Sequence, residues 1–265
     1  MADSPPLLEK FRLAFREHPR RAFREWYVFQ EHLRDHDQEA GNGELAAMLS
    51  EDLWVLSSEL VFDSDDDRAR WFHDFAVFLG SRGPAANLMR ALEAFDVPFA
   101  IWNPGLDSGA YSRALHNRAN ALVSLGTTTD ELDQAIAGFE EALRYRTMES
   151  NSIARGASLH SLGIALRRRA ELEPAPQRRL EILDRSESVF AEALTIRTFG
   201  EQPLGFAISS FQRALTLAEQ LKLGRLDRLG ETSRSFRDAE TAYVSLGKSG
   251  EAEVVRVQAD RIREG

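Results

Sequence analysis

Apolar side chains recur every three or four residues along nearly the whole chain, and no stretch alternates apolar and polar positions as a strand would. That period predicts helices throughout. Leu7, Leu8, Phe11 and Phe15 share one face of a helix over 6–17, which stops before Pro19. A second helix over 20–36 sets Phe23, Trp26, Tyr27 and Val28 beside Leu33, and Gly41-Asn42-Gly43 breaks the pattern. A third, over 44–62, carries Leu45, Met48, Leu49, Leu53, Leu56 and Leu60. The acidic run 63–67 marks the start of a fourth, because carboxylates complement the positive end of a helix dipole. Trp71, Phe72, Phe75 and Phe78 form its apolar face up to Leu79. Gly83-Pro84 separates it from a fifth helix over 85–95, and the Pro- and Gly-punctuated residues 97–105 are expected to be a connector. Phe99 and Trp102 would plug the joint between two parts, 1–105 and 106–265.

The second part repeats itself. The phrase F-x-E-A-L-x-x-R-T occurs as Phe139–Thr147 and again as Phe190–Thr198, each time closing an amphipathic helix. Upstream, the run from Leu115 to Leu122 aligns with Leu159 to Leu166 and, more weakly, with Ile208 to Leu215. The first two runs are 44 residues apart, whereas Phe139 and Phe190 are 51 apart. The seven extra residues therefore fall within the second hairpin, where Glu173-Pro-Ala-Pro176 reads as a loop. A third returning helix is expected over 231–246, and a last one over 251–263 after Gly247-Lys-Ser-Gly250. A unit that recurs in this way buries its apolar face by stacking on its neighbour.

These residues resemble the tetratricopeptide repeat (TPR). The small residue of the first helix is Gly163 in one copy and Ala119 in the other. Leu159 and Leu166, or Leu115 and Leu122, flank it, and the aromatic-then-Ala pair of the second helix is Phe139/Ala142 and Phe190/Ala193. The long period and the A-L-x-x-R ending are similar to kinesin-light-chain-type repeats and to bacterial TPR arrays found beside caspase-like CHAT proteases. The resemblance is good over 111–198, weaker over 204–250 and a matter of pattern before residue 100. It implies an all-α fold, a right-handed superhelical array of antiparallel hairpins forming an α-solenoid, with degenerate hairpins over 1–105 and a capping helix at the end. It also implies a non-enzymatic adaptor or regulatory subunit that holds a protein or peptide in a concave groove lined by the first helices. In this sequence the groove positions are Arg113, His116, Asn117, Asn120 and Ser124, then His160, Ser161, Ile164, Arg167 and Arg168, with Ser209, Ser210 and Arg213 in the third copy. Asn120 stands where peptide clamps of the family place an asparagine, but His116 replaces the clamp's lysine, so a carboxylate clamp is not expected. A CHAT-type protease or another defence or regulatory protein is the partner the resemblance suggests.

Composition narrows the classes. The formal net charge of −9 gives the chain no general attraction for nucleic acid or an anionic membrane. With no cysteine there is no disulfide, thiolate nucleophile or cysteine-based zinc site. No apolar run approaches the roughly 20 residues of a membrane helix, and residues 1–6 do not open a signal peptide, so a cytoplasmic location is expected. Thirty of the 33 basic residues are arginine, a skew that GC-rich bacterial coding produces.

Catalytic signatures are scarce: there is no P-loop, G-x-G-x-x-G, H-E-x-x-H or G-x-S-x-G. His116 and His160 hold equivalent positions, but no carboxylate at suitable spacing completes a metal site, and neither metal nor cofactor is expected. Arg167-Arg-Arg169, with Arg178 and Arg179, reads either as a patch for an acidic partner or as solvation at a helix end. The enzymatic alternative is a HEPN-like ribonuclease or toxin-type enzyme, which an Arg68-x4-His73 pair resembles in spacing, although Ala69 replaces the polar residue that usually follows the arginine.

Overall fold

The computed structural model describes Trp54, Ser57, residues 60–81 and residues 85–264. The helices expected over 6–17 and 20–36, and most of that over 44–62, lie outside the described residues. Nine α-helices and one 3-10 turn follow one another, with no strand among the described residues. None of these helices is long and apolar enough to cross a membrane. The chain divides into two compact units at Leu125/Gly126.

The first unit contains α1 (Asp65–Ser81), α2 (Ala85–Ile101) and α3 (Ser108–Leu125). The expected acidic start is present: Asp65, Asp66 and Asp67 form the first turn of α1, and the Ser64 hydroxyl accepts from the Asp67 N–H at 3.1 Å. Trp71, Phe72, Phe75 and Leu79 turn one face of α1 into a core with Leu88, Ala91 and Phe95 of α2 and with Ala114 and Ala121 of α3. Trp71 meets Phe72 edge-on and Phe75 at a tilt, both at 5.0 Å between ring centres.

Here the structure departs from expectation. α2 does not end at Phe95 but runs through Pro98 to Ile101. Proline inside a helix leaves one carbonyl without its donor and typically costs ~3 kcal/mol. Burial beyond it outweighs that cost. Trp102 is 3% exposed and donates its indole N–H to Asp66 Oδ1 at 3.0 Å, while Phe99 packs edge-on to Tyr111 at 5.5 Å. The connector therefore shrinks to residues 102–107, and Leu60–Phe62, expected to be helical, are not.

The second unit contains α4 (Thr129–Tyr145), α5 (Met148–Glu171), α6 (Pro176–Ile196), α7 (Pro203–Lys222), the 3-10 turn Leu226–Arg228, α8 (Leu229–Ser245) and α9 (Ser249–Glu264). Each helix packs on the next, and α7 also reaches α5. Thr128 and Glu131 form a reciprocal capping box at the start of α4. α5 starts twice: Thr147 caps its first turn, the backbone of Asn151 is extended, and Asn151 Oδ1 then accepts from the Ala154 N–H at 2.9 Å.

The Phe, Ala, Leu, Arg and Thr of the repeated phrase each have a place in this unit. Phe139, Phe190, Ala142 and Ala193 are fully buried, whereas Leu143 and Leu194 are half-buried. Phe190 fills the space left by Gly163, where a Cβ would fall 2.7 Å from the ring. Arg146 and Arg197 are the C-caps of α4 and α6, their main-chain N–H groups donating to the carbonyls of Ala142 and Ala193. The Thr147 and Thr198 hydroxyls then accept from the N–H groups of Ser150 and Glu201 in the turns that follow.

Candidate functional site

The side chains expected to face a ligand are divided between the units: Arg113, His116, Asn117 and Asn120 on α3, and His160, Ser161, Arg167, Arg168 and Arg213 on α5 and α7. In the first unit, Asn120 Nδ2 donates to His116 Nε2 one turn away at 3.0 Å, so these two half-buried groups satisfy each other. Asn117 Nδ2 donates to His73 Nε2 at 3.0 Å. His73 is 5% exposed and its Nδ1 lies 3.1 Å from Asp74 Oδ1, so both ring nitrogens have protein partners. Arg68, its companion in the ribonuclease-like spacing, is exposed on the same helix with its guanidinium carbon 6.0 Å from the Phe72 ring centre. Five residues on a helix turn side chains about 140° apart, and here the arginine faces water while the histidine faces the core. Arg113 is exposed.

In the second unit the arginine run is engaged in pairing. Arg167 Nη1 meets Glu171 Oε1 at 2.7 Å, Arg168 Nη2 donates to the Gly126 carbonyl at 3.3 Å, and Arg169 bridges Asp133 and Glu173. Arg178 pairs with Glu181, and Arg179 donates to the Glu171 carbonyl. Arg213 directs Nε and Nη2 at Glu187 Oε1, at 2.8 and 2.5 Å, which joins α7 to α6 through a carboxylate only 12% exposed. Ser161 is half-buried on α5. These contacts tie Asn117, Arg168 and Arg213 into the packing, because polar groups between stacked helices are desolvated and must satisfy their donors internally.

His160 belongs to a different arrangement. Arg197 Nη1 donates to the Ser209 hydroxyl at 3.0 Å, and that hydroxyl lies 3.1 Å from His160 Nδ1. With its proton directed at the histidine, Ser209 passes the interaction from α6 through α7 to α5. The ring of His160 stands edge-on to Phe190 at 5.8 Å. Burial, helped by the charge of Arg197, pushes the imidazole pKa down to about 3, so it is neutral and accepts at Nδ1. Two glycines make room for Arg197. A Cβ on Gly156 of α5 would come 3.1 Å from its stem, and one on Gly205 of α7 would come 2.7 Å from Nε. The Nε atom itself is buried without a partner.

The same joint occurs one repeat earlier. Arg146 Nη1 donates to Ser158 Oγ at 2.7 Å and to the Ala154 carbonyl at 3.3 Å. In both copies the serine lies twelve residues after the arginine (146 to 158, 197 to 209). That spacing was available in the sequence as a signal for Arg146, Arg197, Ser158 and Ser209 together. Glu187 had no such signal, because its value comes from Arg213 on another helix. His116 and His160 fall in different units, and among the described residues no three metal-ligating side chains cluster. No family model matches the chain, and no curated protein matches it either.

Proposed function

We propose that this chain is a non-enzymatic scaffold of TPR-like helical repeats, coiled as a right-handed solenoid, that binds a protein or peptide along the solvent-facing sides of its first helices. The observation that supports this best is the joint made twice by one repeated phrase. Phe packs within the hairpin, Arg reaches a serine on the following helix, and Thr turns the chain into it. A chain built by repeating one joint gains surface in proportion to its length, and such surfaces are preformed for binding. The resemblance to bacterial arrays that accompany CHAT-type proteases makes an adaptor or regulatory role in the cytoplasm the natural reading, with a protease or other defence protein as its partner.

Affinity capture with the full chain, in lysate of its native host, tests this. The paired substitution His116→Ala with Asn120→Ala removes both members of a mutual hydrogen bond together, so neither is left without the other. Recovery of a specific partner is expected to fall at least about tenfold, equivalent to ~1.4 kcal/mol, with the helical circular dichroism unchanged. Equal recovery by the wild-type and doubly substituted proteins would reject the groove.

A further inference from the structure

Arg197 lacks the carboxylate partner that five other half-buried arginines of its unit have. Arg155, Arg167, Arg169, Arg213 and Arg228 have side chains 18–24% exposed, and each meets a carboxylate: Glu192, Glu171, Asp133, Glu187 and Glu231 respectively. Arg197 meets only the Ser209 hydroxyl. Its Nε is buried and unpartnered, as are those of Arg167 and Arg228, and among the described residues its Nη2 bonds to no protein atom. Burial alone acts on its proton affinity, lowering it, with no acidic group opposing. A cation taken partly out of water ordinarily has a counter-charge beside it.

The surroundings of this guanidinium suit a ligand that supplies one. Phe199 and Leu204, two positions after Arg197 and one before Gly205, are 46% and 42% exposed. Phe199 is held edge-on to Phe206 of α7 at 5.9 Å, which fixes an exposed ring two residues from Arg197. The N-terminus of α7 opens at this point without a side-chain cap, so the field of its first N–H groups adds to that of the arginine. The formal charge of the whole chain, −9, disfavours a long acidic run but not one carboxylate between apolar side chains.

We propose that Arg197 anchors a subsite for a single aspartate or glutamate of a partner peptide, whose neighbouring apolar residues rest on Phe199 and Leu204. This rests on the scaffold reading and names the chemistry of its partner. It adds a contact at the turn between α6 and α7 to those of the first-helix faces. The carboxylate would complete a charge-assisted bond with Nη2, while Nη1 stays on Ser209.

The test uses the full ¹⁵N-labelled chain titrated with two blocked pentapeptides, Ala-Leu-Asp-Leu-Ala and its Asn counterpart. The Asp peptide is expected to move the Arg197 Nε and Gly205 amide resonances, and to bind about ten- to a hundredfold more tightly than the Asn peptide. Arg197→Gln is expected to abolish that difference. Because this substitution also touches the helix joint, Phe199→Ser with Leu204→Ser provides a second arm. It leaves the guanidinium in place and is expected to weaken both peptides about tenfold. Equal binding of the two peptides, or resonances unmoved at Arg197 and Gly205, would overturn the subsite. Shifts confined to the outer faces of α5 and α7 would also overturn it while leaving the scaffold intact. Equal partner capture by the wild-type and His116/Asn120-substituted proteins would count against the scaffold reading itself.

Discussion

At the scale of single residues, His160 stands beside Ser209 as a neutral imidazole. Its folded pKa, about 3, lies below the ordinary value of 6.5, so the unfolded chain takes up a proton at a pH where the folded chain does not. The stability that this neutral histidine contributes is fully present above pH 6.5. It is lost as pH falls from 6.5 towards 3, at a rate of up to about 1.4 kcal/mol per pH unit. The carboxylates held below their usual range, such as Glu131 and Glu251, add their own losses only further into acid. Urea midpoints measured between pH 7 and 5 are therefore expected to fall in the wild type. They are expected to stay level in His160→Asn, which offers an amide oxygen to Ser209 without a titrating group. A wild type with no slope over that interval would contradict the buried, neutral histidine.

Among the elements, α2 shows how tertiary burial decides where a helix ends. The sequence around Pro98 reads as a connector, since proline removes a donor and Gly105 follows closely. The helix continues because Trp102 and Phe99 gain more in the core than the missing bond costs. Pro98→Ala restores the absent N–H where a helix already stands, and is expected to raise the melting temperature by several degrees, corresponding to ~1–3 kcal/mol. A fall in melting temperature, read by circular dichroism, would mean that the rigidity of proline in the unfolded chain is the larger effect. The ranges expected for α1, α8 and α9 fall within two residues of those observed, because their apolar period is strong and an acidic run or a glycine-bounded turn precedes them. The fate of the polar residues between helices was not legible. Asn117, Arg169 and Arg213 look like a wet face in one dimension. Their partners His73, Asp133 and Glu187 lie 26 to 44 residues away along the chain, on neighbouring helices.

For the whole molecule, residues 126–264 hold a set of contacts complete enough to be tested alone. Their core residues run from Leu132 on α4 to Val255 on α9, and the Arg213–Glu187 ion pair and serine bonds tie α5, α6 and α7 together. The fragment 126–265 is expected to be helical and to unfold in one cooperative urea transition. Circular dichroism and Trp-independent fluorescence of its tyrosines would follow it together, since the four tryptophans all precede residue 103. Two separated transitions would show that the helical pairs are only loosely coupled.

The passage of Arg197 between Gly156 and Gly205 also limits how the chain can vary in length. One side chain sets the position of three helices, so it works as a gauge. A residue inserted between Arg197 and Ser209 would turn α7 by about 100° and carry the serine out of reach. The far turn at 173–175 lies outside the gauge, and the seven extra residues of the second copy fall in that hairpin, while the twelve-residue step from arginine to serine is the same in both copies. Repeats of this kind can lengthen at one end of the hairpin and hold their spacing at the other.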